Sequence, residues 1–166
     1  MPPNDQDRLL FESAIDAFSE TLYRVAFRMT GNHHSANELV QETYLGAWRN
    51  ITQVKDQTKL RGWLFAILRN QYSKTRQRQR INISELGEID AVPESRAHAD
   101  DIQEMVQEAI QKLDDDLRLP ILLVAMEGWS VAETAELLGI PVGTVLSRLH
   151  RGRGRLRQYL ESNWQE

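Results

Sequence analysis

The chain has 166 residues, of which 41% are hydrophobic and 27% charged, and its formal net charge is −4 at pH 7. These values are typical of a globular protein of one or two small domains. No apolar run approaches the roughly 20 residues that a transmembrane helix needs, so we expect no membrane insertion. The absence of cysteine excludes disulfides, thiolate metal sites and a cysteine nucleophile. The N-terminus lacks a signal-peptide core, which favours a cytoplasmic protein.

Charge is unevenly distributed along the chain. Residues 59–80 contain seven basic residues and no acid, and residues 142–158 contain five arginines and no acid. Between them, residues 82–116 contain eleven acids against Arg96 and Lys112. Two basic blocks around an acidic one are typical of a protein that binds a polyanion. Solvated helix faces are the alternative interpretation.

Helical spacing dominates the N-terminal half. Apolar residues recur every three or four positions from Leu9 to Met29, which predicts one long amphipathic helix that ends at Gly31. Ser35 and Glu38 have the spacing of a capping box and predict the start of a second helix. The core-facing positions predicted for this helix are Leu39, Val40, Thr43, Ala47 and Ile51.

A third helix is predicted after a polar stretch at residues 52–58. Its apolar positions are Leu60, Leu64, Ile67 and Leu68, and it becomes polar and basic beyond Tyr72. Residues 81–100 contain Gly87 and Pro93 without sustained periodicity, which predicts a linker. We therefore expect an all-α protein with an N-terminal helical domain at 1–80, an acidic linker at 81–100 and a C-terminal domain at 101–166.

The C-terminal domain is predicted to contain a helix-turn-helix. A helix from Asp101 precedes a second one that ends at Gly128, with residues 114–116 as its cap and Pro120 as a late first turn or a kink. Ser130 and Glu133 then form a capping box for a short helix through Leu138. Gly139 supplies a tight turn, and Pro141 suits the first turn of the last helix.

The last helix has two contrasting faces. Val142, Val145, Leu146 or Leu149, and Leu156 are predicted to face inward, whereas Thr144, Ser147, Arg148, Arg151 and Arg155 share the opposite side. A hydroxyl- and arginine-rich face of this kind fits the DNA major groove, where arginine pairs with guanine and binds phosphates. Gly152 and Gly154 each weaken a helix interior by about 1 kcal/mol, so we expect fraying after Arg151 until DNA or a partner orders the helix.

Three stretches carry a family resemblance. "EGWSVAETAELLGIPVGTVLSRLHRGRGRL" resembles the C-terminal domain of bacterial extracytoplasmic-function (ECF) sigma factors, members of the sigma-70 family, which recognises the minus-thirty-five promoter element. "SANELVQETYLGAWRN" is similar to the polymerase-binding helix of that family, and "LRGWLFAILRNQYSKTRQRQR" to its segment for the minus-ten element. The resemblance implies an alternative sigma factor that binds core RNA polymerase and promoter DNA, assists DNA melting and needs no cofactor or metal. An anti-sigma factor is a further partner that the resemblance suggests.

The resemblance also implies site residues. The polymerase contact would use Glu38, Leu39, Gln41 and Glu42, with Asn37 where the family often has an acid. The minus-ten element would be contacted by Trp63 and Asn70, with Arg61, Arg69, Lys74, Arg76, Arg78 and Arg80 along the backbone. Trp63 either receives an unstacked base or packs in the core. In the last helix, Thr144, Ser147, Arg148, Arg151 and Arg153 match family positions, joined by Arg155 from its helical spacing, while Leu146 stands where a basic residue is frequent.

Other functions explain less of the sequence. A helix-turn-helix regulator that acts without the polymerase clamp accounts for residues 130–158 but leaves the basic block at 59–80 unexplained. An enzyme is disfavoured, because the adjacent His33 and His34 point about 100° apart on a helix and form a poor chelating pair. We therefore expect no catalytic residues and no metal site. A further hypothesis is that the acidic block lies against the basic helices in the free protein and limits DNA binding.

Overall fold

The computed structural model of the protein describes residues 1–86 and 101–164, so most of the predicted linker lies outside the described residues. The α-helices are α1 (Asp5–Thr30), α2 (His33–Asn50), α3 (Leu60–Leu86), α4 (Asp101–Gln111), α5 (Asp115–Pro120), α6 (Val131–Leu138) and α7 (Val142–Asn163). Two short 3-10 turns at Ile51–Gln53 and Gln57–Lys59 connect α2 to α3, and a π-helical turn at Ile121–Met126 follows α5. The described part contains no strand, which confirms the all-α prediction. No helix within it combines the length and hydropathy needed to cross a bilayer.

The start of α2 differs from the prediction. Gly31 ends α1 with a left-handed backbone at φ 82°, and Asn32 then caps α2, because its Oδ1 accepts the Ser35 amide at 2.7 Å. Ser35 therefore lies inside the first turn, and the predicted capping box of Ser35 and Glu38 is wrong. The extended backbone of Asn32 places its side chain over the free amides, which makes a second cap at Ser35 unnecessary.

The basic helix α3 is longer than predicted. It continues past Arg80 to Leu86, into the segment that was assigned to the linker. Residues 81–86 contain neither glycine nor proline, and the first helix-breaking residue after the basic block is Gly87. The absence of a core-facing pattern beyond Tyr72 is therefore compatible with a continuous helix.

The turn around α5 departs from a regular helix. Asp114 occupies the N-cap position of α5 but makes no capping hydrogen bond with its side chain, in contrast to the prediction. Pro120 ends α5, and the chain passes directly into the π-helical turn, in which the Glu127 amide donates to the Leu122 carbonyl at 3.0 Å. The Asp114 carboxylate is thus not used to cap the free amides at the start of α5.

The predicted helix-turn-helix is present. Ser130 and Glu133 form the expected capping box, with Glu133 N donating to Ser130 Oγ at 3.0 Å and Ser130 N donating to Glu133 Oε2 at 2.8 Å. Gly139 supplies the turn at φ 64°. Pro141 is the N-cap of α7, one position before the predicted first turn. The helix α7 continues past Gly152 and Gly154 to Asn163 in this structure, and its fraying after Arg151 in the free protein stays a prediction, which amide exchange tests.

The N- and C-terminal halves share one apolar core. Leu22 of α1 and Phe65 of α3 are buried with Leu122 and Trp129 of the C-terminal half, and the Phe65 and Trp129 rings meet edge to face at 5.2 Å. At the edge of this core, Arg24 donates through Nε and Nη2 to both carboxylate oxygens of Glu127, at 2.8 and 2.7 Å. The helix-turn-helix is therefore held against α3 in this structure.

Candidate nucleic-acid interface

The helix α7 has the two faces that a DNA-reading helix needs. Its buried face contains Val145, 0% exposed, and Leu149, 3% exposed. Ser147, Arg151, Arg153 and Arg155 are exposed, and Thr144 and Arg148 are partly buried. The expectation that Val142 faces inward is wrong, because this residue is 46% exposed at the open end of the helix. Of the two leucines left open by the sequence, Leu149 is buried, whereas Leu146 is 53% exposed.

Two arginines of α7 contact aspartates in the segment that starts α5. Arg155 Nη1 lies 2.7 Å from Asp114 Oδ2, and Arg148 Nε lies 4.0 Å from Asp116 Oδ2. The Arg155 pair is more than half exposed on both sides, whereas the Arg148 side chain is 24% exposed. Part of the predicted reading face is thus paired with carboxylates of its own half.

The basic end of α3 contacts the same segment. Arg76 Nε and Arg80 Nη2 lie 3.2 and 3.4 Å from one oxygen, Asp115 Oδ2. The neighbouring Lys74 and Arg78 are exposed. The predicted minus-ten residues beyond Tyr72 therefore divide into two that meet an aspartate of the other half and two that face outward.

The beginning of α3 binds the helix-turn-helix directly. Arg61 lies 4.2 Å over the Trp129 ring and donates to Glu133 Oε1 at 2.9 Å. Hydrogen bonds within the capping box, assisted by Arg61, lower the pKa of Glu133, so this carboxyl is charged at neutral pH. Arg69 donates to the carbonyl of Leu138 at 3.1 Å, at the end of α6. In this arrangement Arg61 and Arg69 serve as contacts between the halves, and their role on DNA stays a prediction.

The other two residues predicted for the minus-ten element differ in exposure. Asn70 is exposed, and its Oδ1 accepts from Arg69 Nη2 at 3.2 Å. Trp63 is partly buried and packs against the shared core. Trp63 thus makes the core contacts of one alternative, while part of its side chain stays accessible as the other requires.

A buried arginine that the sequence analysis missed lies where the halves meet. Arg118 is 5% exposed and donates to Met29 O at 3.1 Å, Tyr72 Oη at 2.7 Å and Leu113 O at 2.8 Å. It also reaches the carbonyls of Ile110 and Gln111 and one oxygen of Asp115. Burial raises the pKa of Tyr72, so its hydroxyl stays protonated and available in this network. The signal in the sequence is an arginine within the otherwise apolar run "LRLPILL".

The predicted polymerase surface lies on α2. Glu38, Gln41 and Glu42 are exposed on this helix, but Leu39 is 5% exposed and belongs to the core, so its side chain is not at this surface. The apolar residue that does share the exposed face is Leu45, 47% exposed and one turn beyond Gln41. The sequence analysis missed Leu45. Its spacing from Glu38 and Gln41 could have placed it on this surface, because residues three and four apart lie on one side of a helix.

Comparisons with known proteins agree with this organisation. Residues 14–81 match the family model of Sigma-70 region 2, and residues 103–156 match that of Sigma-70, region 4. The chain is 33% identical over 164 residues to the ECF RNA polymerase sigma factor SigE of Mycolicibacterium smegmatis, covering 94% of this chain and 63% of that protein. It is 30% identical over 171 residues to the ECF RNA polymerase sigma factor SigW of Bacillus subtilis, covering 94% of this chain and 90% of SigW.

Solved structures show the same architecture. The sigma factor RpoE from Bartonella quintana, in complex with the anti-sigma factor NepR, has a TM-score of 0.76 and 30% identity, with 93% of this chain and 98% of that one covered. CnrH, in complex with the cytosolic domain of CnrY, has a TM-score of 0.67 at 24% identity, with 96% of this chain and 100% of that one covered, and supports the fold alone. The family resemblance of the three sequence motifs is thereby confirmed, and the alternative of a helix-turn-helix regulator that acts without the polymerase clamp is not supported. The chain belongs to the ECF RNA polymerase sigma factors.

Proposed function

We propose that this sigma factor binds core RNA polymerase through the exposed face of α2 and presents α3 and α7 to the minus-ten and minus-thirty-five elements of a promoter. The observation that carries the proposal is α7, whose buried face fixes the helix while Ser147, Arg151 and Arg153 remain exposed. Hydroxyl and guanidinium groups on one helix face supply both the phosphate contacts and the base contacts of major-groove reading. In function the halves act as separable units, divided at the predicted linker, of which residues 81–86 belong to α3.

The chain itself performs no covalent chemistry in this proposal. Exposed cations of α3, including Lys74 and Arg78, hold the DNA backbone, and Trp63 offers an aromatic ring to a base that leaves the duplex. Stacking of a base on an aromatic ring supplies about 1–3 kcal/mol, which offsets part of the cost of unstacking. The protein would work in the cytoplasm, where core polymerase and promoter DNA are found.

An anti-sigma protein is a further proposed partner. RpoE, which shares this fold at 30% identity, was solved in complex with the anti-sigma factor NepR. A cleft between α1 and α4 is lined by two exposed apolar residues, Ile102 at 57% and Met126 at 38% exposure. This cleft has a volume of about 970 Å³, which accommodates side chains of a protein partner.

Run-off transcription with purified core polymerase and a pool of genomic fragments tests the proposed function. We expect discrete transcripts that depend on the addition of this chain, because core polymerase alone lacks promoter recognition. The promoter recovered from these transcripts then serves as the specific DNA in binding measurements. A failure to co-purify with core polymerase or to support any discrete transcript would contradict the proposal.

Arg151→Ala is expected to weaken binding of the polymerase complex to that promoter. Removing one exposed guanidinium of α7 should cost about 1–3 kcal/mol if Arg151 contacts a base, and should reduce the salt slope by about one if it contacts a phosphate. Filter binding at several salt concentrations separates these two contacts. The matched control is Arg8→Ala on α1, where the arginine is 69% exposed and pairs with Glu12. Equal affinities of the two variants would remove Arg151 from the reading face.

A further inference from the structure

Two apolar side chains lie on the exposed side of the proposed reading helix α7. Val142 is in the first turn and Leu146 follows one turn later, and each is about half exposed. Residues four apart lie on one side of a helix, so the two form a continuous apolar strip. The other exposed residues of α7 up to Arg155 are glycine, serine, histidine and arginine. The apolar strip is therefore set in a surface that is otherwise polar and cationic.

The apolar strip is not part of the buried face of α7. That face consists of Val145, Leu149 and Gly152. At about 100° per residue, Leu146 lies roughly 60° from Leu149 on one side and 100° from Ser147 on the other. Leu146 is thus placed between the buried face and the exposed Ser147, and its side chain is only half covered.

A glycine leaves the exposed side of Leu146 open. Gly143 precedes Leu146 by three residues and Ser147 by four, so it is a neighbour of both on the helix surface. A Cβ at Gly143 would meet nothing within 4 Å. The surface between Leu146 and Ser147 therefore has free space in which a group of the size of a methyl can reach the leucine.

A simpler explanation is that an exposed leucine needs no partner. Single apolar residues are common on protein surfaces, and Leu9 of α1 is an example. Leu146 differs because of its position. It is next to Ser147, and Arg151 follows Ser147 by one turn, so a duplex that contacts these two polar residues also meets Leu146. Leucine neutralises no phosphate and forms no hydrogen bond, which leaves apolar contact as its contribution.

The major groove offers one base that suits such a contact. Thymine presents a methyl group there, whereas guanine, adenine and cytosine present hydrogen-bond donors and acceptors. A donor or acceptor covered by leucine would lose water without gaining a partner, which costs free energy. Covering a methyl group removes apolar surface from water and is favourable. Leu146 should therefore favour thymine over the other three bases.

We propose that Leu146, supported by Val142, contacts the C5-methyl group of a thymine in the minus-thirty-five element and makes one position of that element specific for thymine. The inference rests on the proposed function and deepens it, because it names a chemical group that α7 reads. In this arrangement Ser147 and Arg151 supply the polar contacts, and Leu146 supplies the discrimination by a methyl group.

The test removes the methyl group from the DNA. In the promoter recovered by run-off transcription, each thymine of the minus-thirty-five element, on either strand, is replaced in turn by deoxyuridine, which lacks only the methyl group. The two duplexes compete for the complex of this chain with core polymerase, and their minus-ten DNA is identical. We expect one position at which the wild type prefers thymine by about three- to fivefold, the effect of burying one methyl group.

Variants of the chain assign this preference to Leu146. Leu146→Ala should reduce it to less than about twofold at the same position, as in a double-mutant cycle of two groups in contact. Leu146→Met keeps an apolar side chain of similar volume and should retain the preference. The matched control is Leu9→Ala, which truncates an exposed leucine of α1 and should respond to deoxyuridine as the wild type does. Equal thermal midpoints verify that the variants are folded.

The outcomes separate this inference from the proposed function. If the polymerase complex binds the promoter but no thymine methyl affects its affinity, the inference is overturned and the proposed function stands. A methyl preference that survives Leu146→Ala also overturns it, because DNA shape or another residue would then be responsible. If no promoter complex forms with core polymerase, the proposed function fails and the inference fails with it.

Discussion

Arg118→Lys is expected to lower the free energy of unfolding by about 3–5 kcal/mol, the usual cost of disrupting a buried charged network. Arg118 is 5% exposed, and its guanidinium reaches acceptors on three sides, including Met29 O, Tyr72 Oη and Leu113 O. Lysine keeps the charge but carries three donors on one flexible atom, and it cannot reproduce the planar fork. Several carbonyls at the end of α4 would lose their donor without gaining water.

Urea denaturation followed by circular dichroism measures this change. The matched control is Arg78→Lys, since Arg78 is exposed on α3 and its replacement should stay within about 0.5 kcal/mol of the wild type. Arg118→Lys should also reduce the cooperativity between the halves, because the arginine joins carbonyls of α1 and α4. A free energy of unfolding equal to that of the control would show that the buried network is dispensable.

Gly152→Ala is expected to destabilise the protein by about 1–3 kcal/mol, the usual cost of overpacking. A Cβ at this position would lie 2.8 Å from Ile121 Cγ1 and 3.0 Å from Ile121 Cδ1. Ile121 is 2% exposed and begins the π-helical turn, so it has little room to move. On the solvent-facing side of a helix, replacing glycine with alanine raises the stability of the protein by about 1 kcal/mol. The steric contact with Ile121 must therefore outweigh this gain for Gly152→Ala to be destabilising.

Gly154 provides the control for this steric argument. It lies in the same helix, two residues later, and a Cβ there meets nothing within 4 Å. Gly154→Ala should therefore raise the free energy of unfolding by about 0.5–1 kcal/mol. Thermal denaturation of the two variants is expected to give changes of opposite sign. The same sign for both would mean that the contact between Gly152 and Ile121 does not limit the packing of α7.

Much of the fold follows from local patterns in the sequence. Helical periodicity located α1, α2 and the beginning of α3, and the capping box of Ser130 and Glu133 located α6. The errors occurred where two local signals competed. Asn32 and Ser35 can both cap a helix, and the choice depends on where Gly31 directs the chain. Leu39 was given both a core position and a polymerase contact, and only the helical phase of α2 shows that the first excludes the second.

The contacts between the halves were not predictable from periodicity. Arg118 reaches Met29, 89 residues away, and Arg76 reaches Asp115, 39 residues away. A pattern of three and four residues describes one helix and carries no information about which helix lies opposite. The charge blocks did suggest that acidic and basic segments meet. They could not identify Asp114–Asp116 as the segment, because all eleven acids of the block contribute equally to a charge count.

The packing of Trp129 gives the molecule an intrinsic optical marker. Its indole is 4% exposed, with Arg61 over its face and Phe65 at its edge, and both neighbours belong to α3. Separation of α3 from the helix-turn-helix would remove the cation and the aromatic ring together and leave the indole in water. The other three tryptophans, Trp48, Trp63 and Trp164, can be replaced with phenylalanine. The emission maximum of Trp129 then reports whether α3 and the helix-turn-helix are in contact, and no attached dye is needed.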